Sequence, residues 1–137
     1  MRFVDTNVLL YAVSEVPEEV DKRDRAREVL TEPDLAASVQ VLQEFYQQAT
    51  RPSRVRSLSG SRALQFLEPI LLFQIQAMTI DVLLEAVAIS RRFQLSCWDS
   101  EILAAARTLG CDVVYSEDLS SEQDYDGLRV IDPFTDR

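Results

Sequence analysis

Short apolar segments alternate with longer amphipathic segments along most of this chain, and this alternation restricts its fold more than any other sequence feature. Short runs rich in β-branched and other apolar residues, bounded by turn residues, are typical of strands. When strands alternate with helices, a parallel sheet covered on both faces is favoured. The predicted strands are Arg2–Asp5, Leu35–Ala37, Leu71–Ile75, Asp112–Tyr115 and Leu128–Ile131.

Helical apolar spacing occupies the segments between these strands. The most apolar of them carries Val82, Ala86 and Ile89 on one wide face, which is typical of a helix packed on a core. The sequence therefore predicts an α/β fold with a parallel sheet. The predicted helices are Thr6–Ala12, Glu18–Leu30, Val39–Thr50, Ser61–Leu67, Ile80–Phe93 and Asp99–Leu109.

The length of 137 residues suits one domain with one core, and we expect residues 1–137 to form it. Hydrophobic residues make up 47% of the chain, which indicates a folded protein. The formal net charge of -9 argues against tight nonspecific binding of nucleic acid, although it allows a local basic patch. The chain has no histidine, which excludes Ser/His/Asp and Cys/His catalysis and His-ligated zinc.

The two cysteines, Cys97 and Cys111, do not form the dense pattern of a disulfide framework, and we expect both to be buried, reduced thiols. The sequence runs from Met1 straight into a strand, so no signal peptide is expected. No apolar run approaches the roughly 20 residues that span a membrane. A cytoplasmic protein is therefore expected.

Four carboxylates stand where apolar segments end or turn over: Asp5, Glu44, Asp99 and Asp118. Ligands of open parallel sheets bind beyond the carboxyl ends of the strands, where Asp5 and Asp118 lie. Four acids at one edge would repel each other unless a cation lay among them, and hard carboxylate oxygens select Mg²⁺ or Mn²⁺. The sequence thus predicts a metal-dependent enzyme that acts on phosphate.

Each acid also has a plainer interpretation. Asp5 is well placed to cap the helix that follows it, and Asp99 completes a capping-box pattern that begins at Ser96. Glu44 is one turn or more inside a helix, and by itself resembles an ordinary surface glutamate.

The last acid has a competitor, because Glu117 precedes Asp118 in the same loop and alternation cannot choose between them. We expect Glu101 to be a solvated surface acid. Polar side chains beside the acids are candidate supporting residues. They are Thr6, Asn7, Ser38 and Ser116.

Arginine accounts for all the basic side chains except Lys22, and several arginines cluster in one loop. Arginine favours bidentate contact with phosphate. We expect Arg51, Arg54 and Arg56, with Arg62 nearby, to be a patch that contacts phosphate. The alternatives are a solvated basic loop and an arginine cluster that pairs with acidic helices.

In their order along the chain, these motifs resemble those of PIN-domain ribonucleases, and more narrowly the VapC-like toxins of type II toxin–antitoxin pairs. Each motif alone is weak, but the ordered set covers nearly the whole chain. The matching segments are 3–12, 38–45, 98–106, 114–119 and 127–134.

The resemblance implies a three-layer α/β/α sandwich around a central parallel sheet of four to five strands. It also implies Mg²⁺- or Mn²⁺-dependent endonucleolytic cleavage of RNA, with Asp5, Glu44, Asp99 and Asp118 on the family's acidic positions. A cognate antitoxin and a homodimer are the implied protein partners. Apolar side chains of the early helices that we expect to be exposed, such as Leu10 and Val13, are candidate contacts for these protein partners. The arginines Arg51, Arg54 and Arg56 are the candidate contacts for the RNA.

Two other functions remain open from the sequence. A receiver or metal-dependent phosphatase also places an acid after the first strand, but it needs a suitably placed lysine, and Lys22 is the only one. A noncatalytic interaction module that keeps the PIN fold is the second alternative. The presence of all four acids argues against it.

Overall fold

The computed structural model describes residues 1–121 and 123–135. The domain predicted for residues 1–137 also includes residues 122, 136 and 137, which lie outside the described residues. Six strands form one sheet. They are β1 (Arg2–Val4), β2 (Leu35–Ser38), β3 (Gln74–Gln76), β4 (Val113–Tyr115), β5 (Asp124–Tyr125) and β6 (Leu128–Ile131).

The strand order across the sheet is β3-β2-β1-β4-β6-β5. Five strands run parallel, and only β5 is antiparallel, through its pairing with β6. The chain moves outward from β1 to β2 and β3 and then returns to β4 on the other side of β1. The strand order therefore reverses between β1 and β4, which is where ligands bind in open α/β sheets.

Six α-helices connect these strands, and a short 3₁₀ helix (Pro17–Glu19) precedes the second of them. The helices α1, α2, α3 and α4 form one connected packing group, whereas α5 and α6 pack tightly against each other. Right-handed crossovers place the first group on one face of the sheet and the second on the other. They are α1 (Thr6–Ala12), α2 (Val20–Val29), α3 (Val39–Ala49), α4 (Gly60–Ile70), α5 (Ile80–Phe93) and α6 (Cys97–Thr108).

This architecture confirms the predicted three-layer α/β/α sandwich with a central parallel sheet. The centre of the sheet is fully apolar and closed to solvent, because parallel strands are covered on both faces. Phe3 and Val4 of β1, Ala36 of β2 and Val114 of β4 each have 0% exposure.

Five of the six α-helices have an N-cap residue whose side-chain oxygen accepts a hydrogen bond. The first backbone N–H groups of a helix need such partners because they have none within the helix. In each case the N-cap oxygen accepts a hydrogen bond from a backbone N–H of the first turn. These caps fix where each helix starts relative to the strand or loop before it. The capping residues are Asp5, Ser38, Ser59, Thr79 and Ser96.

Several local features differ from the sequence-based expectations. Strand β3 begins at Gln74 instead of Leu71, because residues 71–73 form a turn after α4, and α6 begins at Cys97, two residues before the predicted start. The two-residue strand β5 was not predicted, because so short a segment has no readable alternation; it pairs with β6 through a turn at Asp126 and Gly127, both at positive φ. Helix α4 continues through Pro69 to Ile70 instead of ending before it.

Three predictions about exposure need correction. Cys111 is buried as expected, but Cys97 is exposed at the start of α6. Leu10 and Val13 are not exposed, because both are partly buried against the core. The most exposed apolar side chains lie elsewhere, with Leu72 at 87% and Ile80 at 75%. Every helix in the described part of the chain lacks the length and apolar character needed to cross a membrane.

Candidate active site

All four predicted acids line one cavity of about 310 Å³ at the carboxyl ends of β1 and β4. They reach it from four different elements. Asp5 ends β1, Glu44 lies in the second turn of α3, Asp99 lies in the first turn of α6, and Asp118 follows β4. Thr6 also lines this cavity, as does Asn7. We refer to this space as the acid cavity.

Asp5 lies at the back of the acid cavity with only 6% exposure. Its Oδ1 accepts a hydrogen bond from the backbone N–H of Thr6 (2.7 Å), so the predicted capping role is real and coexists with a place in the cavity. Burial raises the pKa of the Asp5 carboxyl to about 6, with a further increase from the charges of Asp118 and Glu44. Hydrogen bonds from Ser116 and Thr6 limit this increase.

Ser116 connects the two strand ends that frame the cavity. Its buried hydroxyl donates to Oδ2 of Asp5 (2.7 Å) and accepts from the backbone N–H groups of Asp118 (3.1 Å) and Leu119 (3.3 Å). One side chain thus fixes the orientation of Asp5 and the course of the loop that carries Asp118. The supporting role of Ser116 in catalysis stays a prediction.

Each carboxylate oxygen of Glu44 accepts a hydrogen bond that orients the side chain. Thr6 Oγ1 donates to Oε2 (3.0 Å), and Gln40 Nε2 donates to Oε1 (3.3 Å). Glu44 is therefore partly buried and held, unlike a free surface glutamate. It also raises the pKa of the half-buried Glu101 carboxyl, although burial is the larger cause, so Glu101 is not the fully solvated acid that was expected.

Asp99 combines two roles. The Ser96 hydroxyl accepts a hydrogen bond from the Asp99 backbone N–H (3.1 Å), which confirms the start of the predicted capping pattern. The Asp99 side chain lines the acid cavity from the N-terminal turn of α6, where the helix dipole favours a negative charge.

Asp118 and Glu117 both line the cavity but have different partners. Asn7 Nδ2 donates to Oδ2 of Asp118 (3.3 Å), and Asn7 Oδ1 accepts from the Glu117 backbone N–H (3.4 Å). The Glu117 carboxylate is occupied by Lys22 Nζ (2.7 Å) and the Tyr11 hydroxyl (2.8 Å). Since Lys22 balances the charge of Glu117, Asp118 is the better candidate for the fourth catalytic acid.

Ser38 and the basic residues are distributed differently from the acids. Ser38 is fully buried and caps α3 through the Val41 backbone N–H (3.3 Å), so its contribution is to position the helix that carries Glu44. Among the arginines, Arg54 lines the acid cavity, and its Nη2 donates to the Leu10 carbonyl (3.4 Å).

The other predicted arginines lie outside the acid cavity. Arg51 lines a separate surface depression next to Gln47 and Gln48. Arg56 is exposed and forms an ion pair with Glu15 (3.6 Å). Arg54 is thus the one arginine of the predicted patch placed to contact a ligand inside the acid cavity.

The side chains in this cavity have the ligand atoms that a divalent cation needs, but they do not surround a position where it would be fully coordinated. Carboxylates are the hard oxygen ligands that Mg²⁺ and Mn²⁺ prefer. The Asp5 carboxyl is buried beside the negative charges of Asp118 and Glu44. Within residues 1–121 and 123–135, no three acids or cysteines lie close enough to form a complete metal site. A partly hydrated ion held by one or two carboxylates matches this spacing.

The match to a family comes from the sequence as a whole. The PIN domain model matches residues 2–122, which is most of the chain. The chain belongs to the PIN domain family. A comparison with curated protein sequences finds no match.

Several solved structures share the fold at low sequence identity. A toxin–antitoxin complex from Klebsiella pneumoniae matches with a TM-score of 0.71 and 20% identity, over 97% of this chain and 98% of that one. FitAcB from Neisseria gonorrhoeae matches with a TM-score of 0.73 and 18% identity, over 98% and 99%. Mycobacterium tuberculosis VapC20, a toxin that cleaves the sarcin–ricin loop, matches with a TM-score of 0.65 and 20% identity, over 86% and 90%.

Sequence reasoning missed several side chains that line this PIN domain cavity or contact its lining residues. Tyr11 and Lys22 hold Glu117, but their distance from it along the chain left no local signal. Trp98 lines the cavity with 66% exposure, and a single sequence does not reveal the exposure of one aromatic residue. Gln48 also lines it, and here a signal existed, because it lies four residues after Glu44 and so on the same face of α3.

Proposed function

We propose that this PIN domain is a metal-dependent endoribonuclease that hydrolyses RNA phosphodiester bonds. The observation that carries the proposal is the meeting of four acids from four elements in one cavity at the reversal point of the sheet. A cavity so acidic would repel a polyanion on its own, and a divalent cation resolves that conflict. Mg²⁺ and Mn²⁺ are the proposed cofactors.

One or two of Asp5, Asp99 and Asp118 would bind an ion directly and the others through its water molecules, and Glu44 would hold a second ion or contact the first through water. When bound, the ion supplies Lewis acidity: it activates water for attack and neutralises charge that develops on phosphate. Hydrolysis of this kind breaks the bond from phosphorus to the 3′ oxygen and leaves 3′-hydroxyl and 5′-phosphate ends.

The protein's own contribution is positional. Ser116 and the Thr6 backbone hold the two oxygens of Asp5, while the Thr6 hydroxyl holds Glu44. Asn7 contacts both Asp118 and the backbone of the preceding residue. Arg54 is the side chain best placed to contact a backbone phosphate, because it lines the same cavity.

We further propose that the protein is the toxin of a toxin–antitoxin pair. Two fold neighbours are described as a toxin–antitoxin complex and as a toxin that cleaves the sarcin–ricin loop, and both align with most of this chain. A cognate antitoxin and a homodimer are the protein partners proposed with this role, and a cytoplasmic location is proposed for it.

The decisive experiment is cleavage of end-labelled total RNA by purified protein with Mn²⁺, with Mg²⁺ and with EDTA. Asp5→Asn and Asp99→Asn should abolish cleavage, while Asp21→Asn, on the exposed side of α2, is the matched control for loss of one negative charge. Cleavage that survives in EDTA would exclude metal dependence. An intact fold with no cleavage of any RNA would favour the noncatalytic module.

A further inference from the structure

A second cavity, of about 450 Å³, adjoins the acid cavity and differs from it in chemistry. Its walls are mostly uncharged amides around one aromatic side chain. Glu44, Gln48 and Trp98 line both spaces, so the two cavities share a wall. The lining residues are Gln40, Gln43, Glu44, Gln47, Gln48 and Trp98.

Resting on the nuclease function proposed above, we propose that this second cavity is a nucleobase subsite that takes an unstacked base of single-stranded RNA next to the scissile phosphate. Trp98 provides the stacking surface, and the α3 glutamines provide hydrogen bonds to the edge of the base.

The first support is the position of Trp98. Its side chain is 66% exposed, an unusual placement for the largest apolar side chain of the molecule. An exposed aromatic residue beside a phosphate-binding centre is a common way to bind single-stranded nucleic acid, because every base has a face that stacks. The Trp98 backbone is also fixed, since its carbonyl accepts a hydrogen bond from Gln40 Nε2 (3.3 Å).

The second support is Gln40, which is only 5% exposed and lines this cavity. Its Nε2 donates to both Glu44 and the Trp98 carbonyl, which settles the orientation of the amide. Its Oε1 is the one buried side-chain oxygen or nitrogen, within the described part of the chain, that has no hydrogen-bond partner. Buried acceptors are seldom left unpaired, and each of the four bases carries an N–H donor that could pair with this one.

The third support is the charge of the surface. The chain has a net charge of -9, so attraction to phosphate contributes less here than in most RNA-binding proteins. Gln40, Gln43, Gln47 and Glu44 follow the i, i+3, i+4, i+7 spacing of one helix face, with a single charge among them. Amides can read a base edge without repelling its phosphate.

The test uses the fact that Trp98 is the only tryptophan in the chain, so all tryptophan fluorescence comes from the wall that the two cavities share, and the abasic strand distinguishes base binding from phosphate binding. Wild-type protein is titrated with an unstructured mixed-sequence oligoribonucleotide and with an abasic oligonucleotide of equal length. Ca²⁺ replaces Mn²⁺, and gel analysis checks that the RNA stays intact. We expect the RNA to quench Trp98 and the abasic strand to leave its emission unchanged.

Anisotropy of labelled RNA then gives Kd for the variants. Trp98→Ala should raise Kd about ten-fold, whereas Trp98→Phe, which keeps a ring, should raise it by only about two-fold. Leu72→Ala, at an exposed apolar residue outside both cavities, is the control and should bind like wild type. In Mn²⁺ cleavage assays, Trp98→Ala should raise KM much more than it lowers kcat.

The outcomes separate this proposal from the nuclease proposal. Wild-type cleavage together with an unchanged Kd for Trp98→Ala, or equal quenching by the abasic strand, overturns the subsite alone. Quenching without cleavage by the wild type overturns the nuclease and keeps the subsite. If Trp98→Ala binds RNA normally but loses self-association in sedimentation, the face belongs to a second copy of the chain, and the subsite is overturned.

Discussion

Ser116 Oγ donates a 2.7 Å hydrogen bond to Oδ2 of Asp5, although the two residues are 111 positions apart in the sequence. They meet because β4 lies directly beside β1 in the parallel sheet, which places the residues that follow both strands at one edge. The hydroxyl stabilises the charged form of a carboxylate whose burial favours the neutral form.

Ser116→Ala should therefore raise the pKa of Asp5 further and shift the acidic limb of the cleavage pH profile to higher pH. Loss of a buried hydrogen bond should also lower the free energy of unfolding by about 1–3 kcal/mol. Ser100→Ala is the matched control, because Ser100 is equally buried and its hydroxyl donates to the Ser96 carbonyl, away from Asp5. If Ser100→Ala shifts the pH profile as much as Ser116→Ala does, the hydrogen bond from Ser116 to Asp5 has no specific role in the pH dependence.

Asp5→Asn should stabilise the metal-free protein at neutral pH. The folded-state pKa of Asp5 is about 6, above the ordinary value of 3.8, so the folded state holds this proton more tightly than the unfolded state does. The stability that Asp5 contributes is complete below about pH 4 and is lost as the pH rises through 6. Its loss amounts to about 3 kcal/mol at most.

Urea unfolding of wild type and Asp5→Asn in EDTA, at about pH 4 and about pH 7.5, measures this difference. The variant should be the more stable protein only at the higher pH. Mn²⁺ should raise the melting temperature of the wild type and leave that of the variant nearly unchanged. Equal responses of both proteins to pH and to Mn²⁺ contradict the predicted metal site.

Thr6→Val keeps the shape of the side chain but removes the hydroxyl that donates to Glu44 Oε2. Glu44 then loses one of its two orienting contacts, and we expect cleavage to fall about ten-fold while the fold persists. Thr31→Val, which removes an exposed hydroxyl bonded to the Glu28 carbonyl, is the control. Steady-state kinetics and a thermal melt of both variants check whether activity and stability separate as expected.

Glu117→Gln and Asp118→Asn should differ strongly, although the two residues are adjacent. Lys22 and Tyr11 already donate hydrogen bonds to the Glu117 carboxylate, so the Glu117→Gln variant should keep most of the activity. The Asp118 carboxylate accepts a hydrogen bond from the uncharged Asn7 amide, so its charge is free to bind a metal ion, and Asp118→Asn should abolish cleavage. Single-turnover rates for the two proteins decide between them, and a larger loss in Glu117→Gln would reverse the assignment.

Arg54→Ser should weaken RNA binding and lower its salt dependence by about one unit of slope. Arg54 lines the acid cavity, whereas Arg56 points to an ion pair with Glu15. Arg56→Ser is therefore the matched control and should bind RNA nearly as tightly as wild type. Measuring Kd over a range of salt concentrations gives the slope of log Kd against log salt concentration for each variant. Equal slopes for the two variants would indicate that the arginines of this loop are solvated and do not contact RNA.

Much of the fold was readable because its signals are local. The apolar run before Asp5 and the cap at Ser38 each lie within a few residues of the element that they define, and the structure confirms both. The strand β5 was not predicted, because two residues carry no periodicity. The exposure of Cys97 was not predicted either, because burial in the first turn of α6 depends on which other elements pack against it.

The candidate site was readable only in part. The four acids could be placed at one sheet edge from strand ends and caps, but their partners could not. The contacts of Thr6 with Glu44 and of Lys22 with Glu117 span 38 and 95 residues, respectively. No single sequence encodes such contacts in its spacing, so they emerge only from the three-dimensional packing.

The separation of 111 positions between Asp5 and Ser116 has a consequence for protein synthesis. A ribosome completes β1 before β4, so the site stays incomplete until β4 and the loop after it have left the exit tunnel and paired with β1. For the nuclease proposed above, translation products that stop before β4 should therefore lack activity.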